Sequence, residues 1–220
     1  MGTGTTTPMI ATTQATVQRC KPALGTFVEM AITGPYSTSD LMAMSDQAFE
    51  AMYHIERIMS FHDPDSELSY INQTAQYTPC IVSPHLETVL QLALTLSKQS
   101  NGVYDIAKPV ATLMDRGHLP KQSIIPVSTW EAIDLSNHTI QYHQPLLMDL
   151  GGIAKGYAVD QALSTFPQDT SVTINAGGDL RMSHWQSKSA WIQTPYHRLP
   201  ITMQGPALAT SNTMHGATII

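Results

Sequence analysis

The chain changes texture near Thr139, and this constrains its fold more than any other feature. Before that point two long stretches carry apolar residues at helical spacing. After it come short apolar runs separated by turn signals. Segregation of helices and strands predicts an α+β fold with helices in the first half and a strand-rich second half, not alternating βαβ units. In the first stretch Ser37, Thr38 and Ser39 offer capping hydroxyls. Leu41, Met44, Ala48, Met52, Ile55 and Met59 then mark one face, and the helix should stop before "HDPDS" (62–66). The second runs over "SPHLETVLQLALTLSKQSNG" (83–102), with Ser83 as cap, Pro84 at the first helical position and Asn101-Gly102 as the stop. "STWE" (128–131) matches a capping box and should open a short helix. "ALGTFVEMAIT" (23–33) reads as a strand, and "TIQYHQPLLMDL" (139–150) as a hairpin turning around His143 to Pro145. A helix from Ile153 to Pro167 should precede the strands "SVTIN", "SAWIQTP", "LPITMQ" and "ALATSN".

A length of 220 residues suits one large domain. The Thr-rich residues 1–18 read as a mobile leader, and 19–220 as a single domain whose two packed lobes would divide near 135. An apolar fraction of 42% with 13% charged residues describes a globular chain. Its net charge of −6 and eleven scattered Lys and Arg residues argue against nucleic acid as a partner. Cys20 and Cys80 stand in no C-x-x-C or Cys/His cluster, which excludes a zinc motif and favours free thiols in a reducing compartment. No secretory pattern and no apolar run of membrane-spanning length occurs, so the cytoplasm is the expected location.

The chemistry is concentrated in a few turns. In "DLGGIAKGYAVD" (149–160), Gly151 and Gly152 permit a tight turn and close approach of the backbone, and Gly156 lies just inside the helix. Free N–H groups at a helix start attract anions, and Lys155 adds a full charge, which together suit a phosphate or pyrophosphate. The pattern is neither a Walker A loop nor the G-x-G-x-x-G fingerprint. On periodicity alone, a plain strand-to-helix turn with an exposed lysine is the favoured reading. "MSFHDPDSELSYIN" (59–72) groups Asp63, Asp65 and Glu67 around Pro64. It is an acidic turn without the glycine and late glutamate of an EF-hand, and Asp65 or Ser66 caps the next element. "INAGGDLR" (174–181) is a strand entering a Gly-Gly turn, and "GVYDIAKPV" (102–110) follows a helix stop. The nine histidines show no metal-binding spacing, and no G-x-S-x-G elbow is present.

Taken in order, "LGT", "MSFHDPDSELSYIN", "GVYDIAKP", "DLGGIAKGYAVD", "INAGGDLR" and "LATS" resemble the ApbE family of flavin transferases, from about Leu24 to Ile220. The resemblance implies an ApbE-like, T-fold-related architecture. It also implies an enzyme that takes FAD as substrate with Mg²⁺ and moves the FMN half onto a threonine hydroxyl of a target protein, releasing AMP. The acceptor would be a subunit of a respiratory or redox complex. Carried onto this sequence, Leu24 stands where the family has Met beside the flavin, and His62 at an aromatic position facing the rings. Val103, Tyr104 and Asp105 match a segment lining the FAD, and Asp149, Gly178 and Asp179 join the same contacts. Lys155 is placed near the phosphates, in both a binding and a catalytic role, and Gly152 offers the carbonyl that faces Mg²⁺. His215 is the candidate general base towards the incoming threonine, and Thr218, in "NTMHGAT", the weaker candidate for a modified residue. Family members continue beyond a segment like "HGATII" to further metal ligands, so these 220 residues are expected to lack most of the carboxylates for Mg²⁺. The other readings are an FAD-binding paralogue without transferase activity and an unrelated α+β enzyme for another phosphorylated ligand.

Overall fold

The computed structural model describes residues 14–107, 129–193 and 197–210. A five-stranded antiparallel sheet carries the site. Its strands are β1 (Ala15–Ala23), β2 (Thr26–Gly34), β6 (Ser171–Ala176), β7 (Asp179–Met182) and β10 (Ala207–Ala209), in the order β1-β2-β6-β7-β10. Alternation makes one face apolar: Val28, Met30 and Ile32 of β2 and Val172, Ile174 and Ala176 of β6 are all buried. The helices α1 (Thr38–Met59) and α4 (Ala154–Ser164) pack against the sheet and each other. α2 (Glu67–Thr74) and α3 (Pro84–Gln99) contact α1. Leu41, Ala48, Phe49, Met52 and Ile55 form the buried stripe of α1, and Phe49 is fully enclosed. Burying such a ring contributes about 1.5–3 kcal/mol. A second sheet, in the order β3-β5-β4, joins β3 (Cys80–Ile81), β5 (Thr139–Tyr142) and β4 (Ile133–Ser136). The ribbon of β8 (Ser189–Gln193) and β9 (Arg198–Thr202) contributes Ala190 to a small separate core with Met182 and Met203.

The caps follow the sequence closely. Ser37 Oγ accepts from the Asp40 amide and Ser66 Oγ from the Ser69 amide. At α3 proline occupies the first turn, but Ser83 makes no side-chain cap bond. Several expectations need correction. Residues 15–18 belong to β1, not to a leader: they pair with β2 in the register Ala15↔Gly34 to Gln18↔Ala31, and Val17 enters the core. "ALGTFVEMAIT" is not one strand, because Leu24 and Gly25 form a two-residue turn with φ of 57° and 69°. The second-half hairpin turns at Asn137-His138, both at positive φ, between β4 and β5, and residues 143–150 carry no strand. Pro145 misled here: proline suits many loops, while Asn and His tolerate the left-handed region that a tight hairpin requires. Ser128 lies outside the described residues, and "STWE" yields only a 3₁₀ turn, Trp130–Ala132. Residue 135 falls within β4, in a sheet that also takes β3 from the first half.

Candidate active site

Two hairpin turns meet at one end of the large sheet. The Leu24-Gly25 turn is tied to α1, the Gly25 amide donating to Glu56 Oε1 at 3.2 Å. Beside it, Gly177 and Gly178 turn β6 into β7 with φ of 62° and 106°. A Cβ on Gly177 would stand 2.6 Å from Thr26 Oγ1, and one on Gly178 would stand 2.5 Å from Thr210 Oγ1. Only glycine fits there, for conformation and for space. The Gly178 amide donates to Asn175 Oδ1, and its carbonyl accepts from the Thr210 amide at 3.1 Å. "LGT", "NAGGD" and "LAT", distant in sequence, are thus neighbours.

Asp179, first residue of β7, connects this corner to α4: Lys155 Nζ lies 3.6 Å from its Oδ2. Two residues further on, Arg181 Nε lies 2.8 Å from Asp160 Oδ1. Two part-exposed ion pairs of opposite sense therefore cross from helix to strand. The start of α4 is unusual. The three other described helices each carry an acidic residue in the first turn, whereas α4 has none, no side-chain cap, and Lys155 instead. A lysine there opposes the helix dipole. The Ala154 amide already donates to the Leu150 carbonyl at 2.8 Å; a helix start without a side-chain acceptor and beside a cation is a place where anions are favoured.

On the other side of the glycine turn stands Tyr104, whose ring lies 3.5 Å from where a Gly152 Cβ would be. Its hydroxyl is buried without a hydrogen-bond partner among the described residues. Burial, and secondarily the Asp149 charge, push the phenol up to about 12. Asp149 accepts from the Gly151 amide at 2.8 Å, closing the turn upon itself. Lys155, Asp179, Gly178 and Leu24 thus belong to one corner, and Asp149, Gly152 and Tyr104 line the turn leading into α4. Asp105 has its carboxylate engaged by backbone, accepting from Ala107 and Trp130 amides, so it shapes the segment. Val103 is exposed. His62 is exposed on the α1–α2 connection with its ring edge-to-face on Phe61. His215 and Thr218 lie outside the described residues.

Magnesium requires several oxygen ligands, with carboxylates among them. Among the described residues no group of three or more His, Cys, Asp or Glu side chains is placed to hold a metal ion. Asp149 and Asp179 are both engaged, as above. The described residues do not by themselves make a magnesium site. One residue escaped the sequence reading. Asn72 of α2 bonds the backbone of Met148 on both its N–H and its C=O. Its only sequence signal is its place at the end of "SELSYIN".

An antiparallel sheet with helices packed against it, ending in glycine turns beside the Lys155–Asp179 pair, defines an α+β protein. The sequence model described as "ApbE family" matches residues 24–216, and the chain belongs to the ApbE family. It is 29% identical over 182 residues to the FAD:protein FMN transferase of Chlamydia pneumoniae, covering 75% of this chain and 57% of that protein. It is 31% identical over 142 residues to the FAD:protein FMN transferase of Haemophilus influenzae, covering 56% and 41%. The chain thus spans about half the length of these relatives. The fold matches the flavin transferase ApbE of Vibrio cholerae with a TM-score of 0.74 at 21% identity, over 86% of this chain and 68% of the other. It also matches the apo form of the Pseudomonas stutzeri flavinyl transferase ApbE, with a TM-score of 0.72 at 15% identity, over 89% and 67%.

Proposed function

We propose that this protein binds FAD at the Lys155–Asp179 corner and transfers its FMN half to a threonine hydroxyl of an acceptor protein. The observation that carries the reading is the start of α4, without a side-chain cap and with Lys155 where the other described helices place an acid. The names of the relatives support flavin chemistry, and the pyrophosphate of FAD is the anion such a corner would take. In the reaction the threonine oxygen bonds to the FMN phosphorus, the bridging P–O bond of the pyrophosphate breaks, and AMP departs with that oxygen. The hydroxyl proton passes to a base, a role proposed for His215. Lys155 stabilises the charge that builds up on the phosphate oxygens, exchanging its contact with Asp179 for the ligand. Tyr104 has a hydroxyl, unpartnered among the described residues, to offer a ligand polar atom. Magnesium dependence belongs to the proposal, although the carboxylates such an ion would need are not brought together among the described residues. The free state of Cys20 and Cys80 supports a reducing, cytoplasmic setting. Among the described residues no helix is long and apolar enough to cross a membrane. The acceptor is proposed to be a subunit of a respiratory or redox complex.

Replacing Lys155 tests the reading. Lys155→Ala is expected to lower the transfer rate roughly 10²-fold, the scale of one lost charged stabiliser. It should also weaken FAD binding measured by flavin fluorescence. Equal affinity and equal turnover in the two proteins would leave Lys155 as a solvated lysine and remove the assignment.

A further inference from the structure

We infer that Asn72 is a positioning residue for the FAD turn: through its side-chain amide it sets the backbone that carries Asp149, Gly151 and Gly152. The inference rests on the proposed FAD site, since it concerns how that site is held. Leu146, Met148 and Leu150 are buried, yet residues 143–150 belong to no strand. The main-chain polar groups of this segment therefore need partners outside a ladder. Asn72 supplies two of them. Its Oδ1 accepts from the Met148 amide at 2.8 Å, and its Nδ2 donates to the Met148 carbonyl at 2.9 Å. One side chain thus makes the two bonds that a neighbouring strand would make. Because the Met148 N–H can only donate and its C=O can only accept, this pair determines which end of the amide is oxygen, and the Tyr142 hydroxyl adds a second donor to the same Oδ1 at 3.1 Å. The next residue is fixed from another direction, the Asp149 amide donating to the Ile106 carbonyl at 3.0 Å. Residues from α2, from the end of β5 and from the segment around Tyr104 thus converge immediately before the glycines. Binding groups must be held within about 0.5 Å of their working geometry, and that precision comes from such supports. Glycine cannot provide it, so the turn borrows it from Asn72.

The substitution Asn72→Asp keeps the shape and removes the donor. The oxygen that replaces Nδ2 then faces the Met148 carbonyl with no proton to share. Partial burial and that carbonyl raise the pKa of the new carboxyl, against the Met148 amide and the Tyr142 hydroxyl, which donate to its other oxygen and lower it. Once protonated, it donates and restores the bond. FAD affinity of Asn72→Asp is therefore expected to fall about tenfold at about pH 8, the scale of one lost buried hydrogen bond, and to recover towards the wild-type value near pH 5. Hydrogen exchange at the Asp149 and Gly151 amides, measured without FAD, should rise and recover over the same range after correction for intrinsic rates. Tyr142→Phe removes one donor to Oδ1 but leaves both Met148 bonds, and should show a smaller loss that does not recover on acidification. A merely structural role would lower the melting temperature of Asn72→Asp while leaving affinity per folded molecule and amide exchange equal to wild type, and that result overturns the inference. A wild-type protein that binds no FAD overturns the proposed function and the ligand half of this inference, while the exchange measurement still decides whether Asn72 holds the turn.

Discussion

Tyr104 carries the clearest unmet need of any single described residue. Its hydroxyl is buried beside the Asp149 carboxylate with no partner among the described residues. Leaving such a group unpaired costs about 1–3 kcal/mol. Tyr104→Phe is accordingly expected to leave the free protein as stable or up to about 2 kcal/mol more stable in urea titrations, and to bind FAD more weakly. Stability should also respond to alkali. The folded phenol keeps its proton to about 12, whereas the unfolded one loses it near 10.0. The folded state therefore binds more protons in between, and this contribution to stability, complete below 10, is lost as pH climbs through that window. Tyr104→Phe should flatten the decline there relative to wild type. An identical slope in both proteins would mean that this phenol ionises as if exposed.

At the scale of elements, the four described helices and two glycine turns explain why some of the structure was legible and some was not. α1 and α3 could be read because serine or proline starts and a regular apolar stripe are local signals, sufficient without tertiary information. The Leu24-Gly25 turn was hidden inside an apparent strand, because leucine at φ 57° advertises no turn and is held there by hairpin geometry. The motifs of the site were visible as patterns, but their convergence depends on sheet order, with β2 beside β6 and β7 beside β10. Asn72 was illegible for the same reason: its partner is 76 residues away. The glycines themselves divide by element. Gly178 sits in a hairpin at φ 106° against Thr210, whereas Gly156 lies in α4 with nothing within 4 Å of an added Cβ. Gly178→Ala should therefore destabilise by about 1–3 kcal/mol. Gly156→Ala should stabilise by about 0.5–1 kcal/mol, yet weaken FAD binding if the ligand approaches that first turn. Thermal melts moving in the same direction for both would contradict this division.

For the molecule as a whole, the sheet, α1 and α4 form one scaffold that brings two hairpin turns and a helix start to a single corner. Net charge and composition speak only to the broad class, and the ion pairs Lys155–Asp179 and Arg181–Asp160 cross that corner from helix to strand. The central claim is that this corner moves the FMN half of FAD to an acceptor threonine. The most direct test incubates the protein with FAD, magnesium and a threonine-containing flavinylation-motif peptide, followed by intact-mass measurement of the peptide. A gain of one FMN group on the threonine, with AMP appearing in equal amount and both strongly reduced in Lys155→Ala, is the predicted result. A peptide that stays unmodified while the protein demonstrably holds FAD would contradict the account and leave a flavin-binding protein without transferase activity.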